Sequence, residues 1–144
     1  RVRRSGSIPQ FIQDYHIDNG ILYGCVKRNI PFVLTGSIRD DGPLPEVYAD
    51  AYQGAYAMRS LVRGATTVIC LATMLHTIAA GNMTPSFRVL PDGTVRPVYL
   101  YAVDADEFVV NKLRDRGSLC ATTMVTNVQD FITKVARDLG VYPK

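Results

Sequence analysis

What this chain lacks narrows it first. Its three cysteines, Cys25, Cys70 and Cys120, are far apart and form no Cys-x-x-Cys pair, so neither a zinc site nor a disulfide scaffold is written into them. Free cysteines of this kind fit a reducing, cytoplasmic setting, and Cys70 and Cys120 lie in apolar runs that read as buried. No apolar run is long enough to span a bilayer; the longest, Val68 to Ala80, is broken by threonines and His76. No signal peptide is legible. Charge of one sign is not in excess either: 16 Lys and Arg against 13 Asp and Glu leave +3, part of it in Arg1, Arg3 and Arg4. That short basic end reads as a solvated terminus, or else as a phosphate contact. Basic residues do not interleave with aromatics, so neither nucleic acid nor membrane is expected as a partner. The Gly-x-Gly-x-x-Gly fingerprint is also missing, so a dinucleotide would need another phosphate cradle. The first residue is Arg1 and not Met, the pattern of a fragment or a processed product.

What is present is an ordinary globular composition, 144 residues with 47% hydrophobic and 20% charged. That length suits one domain. The expected organisation is a single nucleotide-binding domain over residues 1–144, with a helical segment over 1–30 and an alternating strand–helix core over 31–144. Ser7 is placed to cap a helix carrying Ile8, Phe11, Ile12 and Tyr15, and Asp18 to cap a second, which Asn29-Ile30-Pro31 ends. Strands are expected at Pro31–Thr35, Thr66–Leu71, Val98–Val103 and Leu119–Val125. Helices are expected at Tyr48–Arg63, Thr73–Ala80, Glu107–Arg116 and Val128–Leu139, stopped at Gly64, Gly81, Gly117 and Gly140. Residues 85–97 read as a polar insertion turning at Pro91-Asp92-Gly93. The alternation implies an α/β fold, a Rossmann-like parallel sheet of about four strands with helices on both faces.

Parallel strands bring their carboxyl ends to one edge, where such sheets bind ligands. The first strand opens into Gly36-Ser37-Ile38-Arg39-Asp40-Asp41-Gly42-Pro43-Leu44-Pro45, a charged loop between glycines and prolines that core packing does not explain. Gly36 and Ser37 can offer N–H groups and a hydroxyl to phosphate, or Gly36 is a plain turn. Arg39, Asp40 and Asp41 are either a surface ion cluster or a set that meets a carboxylate or phosphate and a substrate amine. The second strand runs into Ala72-Thr73-Met74-Leu75-His76, where His76 is a packed residue or a cofactor contact. Asn82 is a helix stop or a polar contact in the pocket. The third strand ends at Asp104-Ala105-Asp106. An acid there binds both hydroxyls of an adenosine ribose, or caps the next helix, and one aspartate can do each job. The fourth ends at Thr126-Asn127.

These segments resemble the C-terminal part of the archaeal-type ornithine cyclodeaminase family, also described as the LOR/SDH bifunctional enzyme conserved region, and the C-terminal module of cyanobacterial bifunctional arginine dihydrolases. The resemblance runs through Arg3-Arg4-Ser5-Gly6-Ser7-Ile8, the Gly36–Pro45 loop, Ala72–His76, Gly81-Asn82-Met83, Val103-Asp104 and Asp115–Ser118, nearly the whole chain. It implies a deoxyhypusine synthase-like fold holding NAD, and conversion of L-ornithine to L-proline with loss of ammonia. It places Gly36, Ser37, Thr73, Met74, Leu75, His76 and Asp104 on the cofactor side, and Asp40 and Asp41 in the pocket facing nicotinamide or substrate. Ile38, Arg39, Asn82, Asp106 and Thr126 are further cofactor-side candidates, Asp40 and Asp41 are the catalytic candidates, and no metal is expected. The chain departs from the family in Asp106 and Asn127, where Asn and Asp are usual, and in a longer stretch over 87–97. Family members also carry a large preceding region with a glycine-rich loop. The expected partners are therefore an amino-acid substrate and either further copies of this chain or a second chain supplying that half. The alternatives are a nucleotide-binding or assembly module without turnover, and a related amino-acid enzyme of lysine catabolism.

Overall fold

A computed structural model describes residues 1–36, 44–114 and 120–141. The chain forms two compact units, Arg1–Leu61 and Val62–Lys144.

The first unit opens with α1 (Val2–Ser5), which ends where Gly6 turns left-handed at φ 77°. In α2 (Ile8–Asp14) the Ser7 hydroxyl accepts the Gln10 N–H at 3.2 Å, the cap its sequence predicts. Helix α3 (Ile21–Lys27) starts after Gly20 and not at Asp18, and Gly20 contributes no side-chain cap. It stops as expected at Asn29, whose left-handed φ of 51° lets the N–H groups of Asn29 and Ile30 reach back to the carbonyls of Val26 and Cys25. The run expected as a strand over 31–35 is extended only at β1 (Leu34–Thr35). It pairs in parallel with β2 (Val47–Tyr48) in a sheet of its own, separate from the main sheet. Helix α4 (Ala51–Val62) therefore begins after Tyr48, with the Asp50 carboxylate accepting the Gln53 N–H at 2.8 Å. Its buried residue is Gly54, where an added Cβ would lie 2.6 Å from Thr35 Cγ2, while Tyr52 and Tyr56 face solvent. Close backbone approach, not aromatic burial, seats α4 on the ladder.

The second unit is a three-stranded parallel sheet in the order β3–β6–β7, formed by β3 (Thr67–Leu71), β6 (Tyr99–Asp104) and β7 (Ala121–Val125). This is the Rossmann-like α/β core that alternation implied. β6 is central and buries Leu100, Ala102 and Val103 almost completely. Leu100 and Ala102 face Val68 and Ala121, together with Met74 and Ile78 of α5 (Met74–Met83) and Val109 of α6 (Glu107–Arg114). Alternation along β7 turns Met124 to the opposite face. There it meets Phe131 and Val135 of α7 (Val128–Asp138) around a cavity of about 400 Å³.

Several boundaries move for physical reasons. Helix α5 runs through Gly81, which is buried, and ends at Thr84, whose hydroxyl donates to the Ala80 carbonyl at 2.6 Å. The stretch over 85–97 is a hairpin of β4 (Phe87–Val89) and β5 (Val95–Pro97), with its turn at the predicted place. The Asp92 carboxylate accepts the Thr94 N–H at 2.9 Å and is held below its ordinary value by that contact, and Gly93 supplies φ 82°. No residue of α7 is fully buried, and Ile132 and Leu139 are exposed where inward positions were expected. Phe108 of α6 is likewise exposed, and Cys120 is half-buried. Gly140 ends α7 in a left-handed turn as predicted, whereas Gly117 lies outside the described residues. No helix among the described residues is long and apolar enough to cross a membrane.

Candidate functional site

The register aligns the three strand ends of the second unit. Leu71 lies opposite Val103, and Asp104 opposite Val125. Both ladders run one step beyond the strands. The Ala72 N–H donates to the Val103 carbonyl and the Thr126 N–H to the Asp104 carbonyl, each at 2.9 Å. The turns bearing Thr73, Asp104 and Thr126 are thus tied to the sheet by their own main chain. Loops so held present side chains at fixed positions along one edge.

At the β6 end the two aspartates divide the work that the sequence left open. The Asp106 carboxylate accepts the Phe108 N–H at 2.8 Å and caps the start of α6. One oxygen of Asp104, Oδ1, accepts the Asp106 N–H at 3.0 Å; Oδ2 has no hydrogen-bond partner among the described residues. Asp104 is therefore a carboxylate pinned by one oxygen with the other available. At the β7 end Asn127 caps α7, its Oδ1 accepting the Gln129 N–H at 2.8 Å, and Thr126 lines the cavity beside Phe131.

The β3 end is the most constrained. Ala72 adopts φ 51°, a left-handed conformation that residues with a Cβ rarely take. No residue type announces it, so sequence reasoning missed it. Thr73 stands at the cap position of α5 but makes no capping bond; its hydroxyl lies 3.1 Å from Nδ1 of His76. Behind it the buried Thr77 hydroxyl donates to the Thr73 carbonyl and pairs with the Cys70 thiol, whose pKa burial pushes up. Cys70 is thereby a packed thiol rather than a nucleophile.

Two of the residues predicted on the second unit do not present their side chains at this edge. Met74 turns its thioether into the core, so only its main chain faces the turn. Asn82 is exposed near the far end of α5, about 12 Å along the helix from Met74 at the ordinary rise per residue. Gly36 belongs to the first unit, and its N–H, expected to be free for phosphate, already donates to the Tyr48 carbonyl at 3.1 Å. Ser37, Ile38, Arg39, Asp40 and Asp41 lie outside the described residues, as do Asp115–Ser118. Among the described residues no three His, Cys, Asp or Glu side chains are grouped to hold a metal ion.

The sequence matches the family described as arginine dihydrolase ArgZ-like, C-terminal, Rossmann fold, over residues 1–135. It is 41% identical over 138 residues to an ornithine cyclodeaminase of Methanocaldococcus jannaschii, covering 96% of this chain and 30% of that protein. It is also 41% identical over 138 residues to the bifunctional arginine dihydrolase/ornithine cyclodeaminase ArgZ of Synechocystis sp., covering 96% of this chain and 18% of that one. The chain thus spans less than a third of either relative's length. Its fold is similar to that of AgrE in a ternary complex with ornithine and NAD+, with a TM-score of 0.80 and 40% identity over 96% of this chain and 19% of that one.

Proposed function

This chain belongs to the arginine dihydrolase ArgZ-like C-terminal Rossmann-fold family, and from that premise we propose that it is the NAD-holding part of an ornithine cyclodeaminase-like enzyme. The reaction is conversion of L-ornithine to L-proline and ammonia. The observation that carries the proposal is Asp104, a carboxylate at the tip of the central strand with Oδ1 anchored and Oδ2 available. That is the acceptor an adenosine ribose asks for: a carboxylate that takes its hydroxyl hydrogens, at the carboxyl end of a parallel strand. When bound, NAD supplies reversible hydride acceptance, so an amino acid is converted with no net redox change.

The chain's own residues orient and hold. Asp104 takes the ribose hydroxyls, Thr73 and His76 line the neighbouring turn, and Thr126 closes the β7 side. Asp40 and Asp41 are assigned to the substrate, because a diamine needs anionic partners. Ser37, Ile38 and Arg39 stay on the cofactor side, Ser37 by its hydroxyl and Arg39 by its charge. The rest of the pocket is proposed to lie outside these 144 residues, in the part of its relatives that this chain does not match.

Analysis of nucleotide released on denaturing the purified protein tests the reading. NAD in the extract, or NAD binding at millimolar concentration, is the expected result; neither would sink it. In an assembly that turns ornithine over, Asp40→Ala and Asp41→Ala are expected to lower kcat while leaving NAD bound. Loss of NAD from those variants would move the two aspartates to the cofactor side. Bound NAD with no ornithine turnover in any assembly would favour a module that holds the nucleotide without catalysis.

A further inference from the structure

Thr73 has a choice of hydrogen bonds and makes the less usual one. A threonine at this position ordinarily accepts an N–H from the first turn of the helix it precedes. Here the side chain caps nothing, and Oγ1 is 3.1 Å from Nδ1 of His76, one turn on. The residue is held for that purpose from within. Its carbonyl receives the hydroxyl of Thr77, which is 3% exposed, and the preceding N–H of Ala72 is bonded to Val103. His76 itself is exposed and has no other hydrogen-bond partner among the described residues, so the Thr73 hydroxyl is what orients its ring.

The contact itself fits either tautomer, since Oγ1 can donate to Nδ1 or accept from Nδ1–H. Thr73 Oγ1 has a single hydrogen and no acceptor for it among the described residues other than Nδ1. Donated there, it leaves the imidazole hydrogen on Nε2. We infer that Thr73 is a positioning residue that fixes His76 with Nε2–H as a donor to an anionic oxygen, either of the dinucleotide's phosphates or of the amino acid's carboxylate. The ligand rests on the functional reading above; the Thr73–His76 contact does not.

The chain has only two histidines, His16 and His76, so nitrogen NMR of the labelled 144-residue protein reads the tautomer directly. The expected spectrum has an unprotonated Nδ1 and a protonated Nε2 for His76. Thr73→Val is expected to average the two, and Thr73→Ser to restore them. In titrations of the same proteins, Thr73→Val and His76→Phe are each expected to weaken ligand binding about tenfold, with Thr73→Ser near wild type. The loss falls on NAD alone if the phosphates are the source. It falls on ornithine added to the NAD-loaded chain, with NAD affinity unchanged, if the carboxylate is. A protonated Nδ1 in the wild type, or Thr73→Val with tautomer and both affinities unchanged, overturns the inference. A wild-type chain that binds neither ligand overturns the functional reading and the ligand given to His76, while the tautomer still decides the contact.

Discussion

The two ladders of this chain begin from similar sequence and end as different structures. Phe32-Val33-Leu34 and Val68-Ile69-Cys70 are both short apolar runs followed by a polar turn. The second becomes a five-residue strand paired in register along its whole length with β6. The first yields a two-residue strand paired with Val47–Tyr48, and no strand residue of that ladder is fully buried. The difference lies in what covers each ladder. β6 brings Leu100 and Ala102, each 1% exposed, into contact with α5 and α6, whereas β1 and β2 meet α4 through a glycine. An apolar run becomes a long paired strand where a buried neighbour such as β6 offers it a full register; local hydrophobicity alone does not do it.

The largest effect that sharpens this comparison is expected from Leu100→Ala. Truncating a fully buried leucine in the three-stranded sheet should cost about 2–5 kcal/mol. Leu34→Ala, at a half-buried position in the short ladder, should cost clearly less. Thermal or urea unfolding of both variants checks the order, and equal losses would break the contrast. A smaller effect is expected at Gly54→Ala. The added methyl would sit 2.6 Å from Thr35 Cγ2, so it should destabilise by about 1–3 kcal/mol even though alanine favours helix. Stabilisation by that change would mean that α4 does not depend on close approach to the ladder.

The same contrast explains what was legible beforehand. The strands β3 and β6 follow from continuous apolar runs, β7 from a run that mixes threonines with apolar residues, and the residues of the candidate edge follow from where those runs stop. Ser7 as a cap and Pro91-Asp92-Gly93 as a turn were readable because one side chain makes the deciding hydrogen bond. Asp18 was misread as a cap, since the Gly20 just beyond it starts the helix. Gly81 was misread as a stop, because a glycine just past a helix and one inside it look alike in sequence. The left-handed Ala72 left no trace, since alanine has no preference for that conformation. The Thr73–His76 contact was missed for a different reason: threonine before a helix normally signals a cap, and here that function is given up.

Asp104 and Asp106 sit two residues apart and carry the central claim between them. Calorimetric titration of NAD into the wild-type protein, Asp104→Ala and Asp106→Ala tests it most directly. Asp104→Ala is expected to lose about ten- to a hundredfold in affinity, as for a hydrogen bond to a charged group. Asp106→Ala is expected to bind NAD near wild type while losing about 0.5–2 kcal/mol of stability with the α6 cap. Unchanged affinity in Asp104→Ala, or the loss appearing in Asp106→Ala instead, would contradict the account.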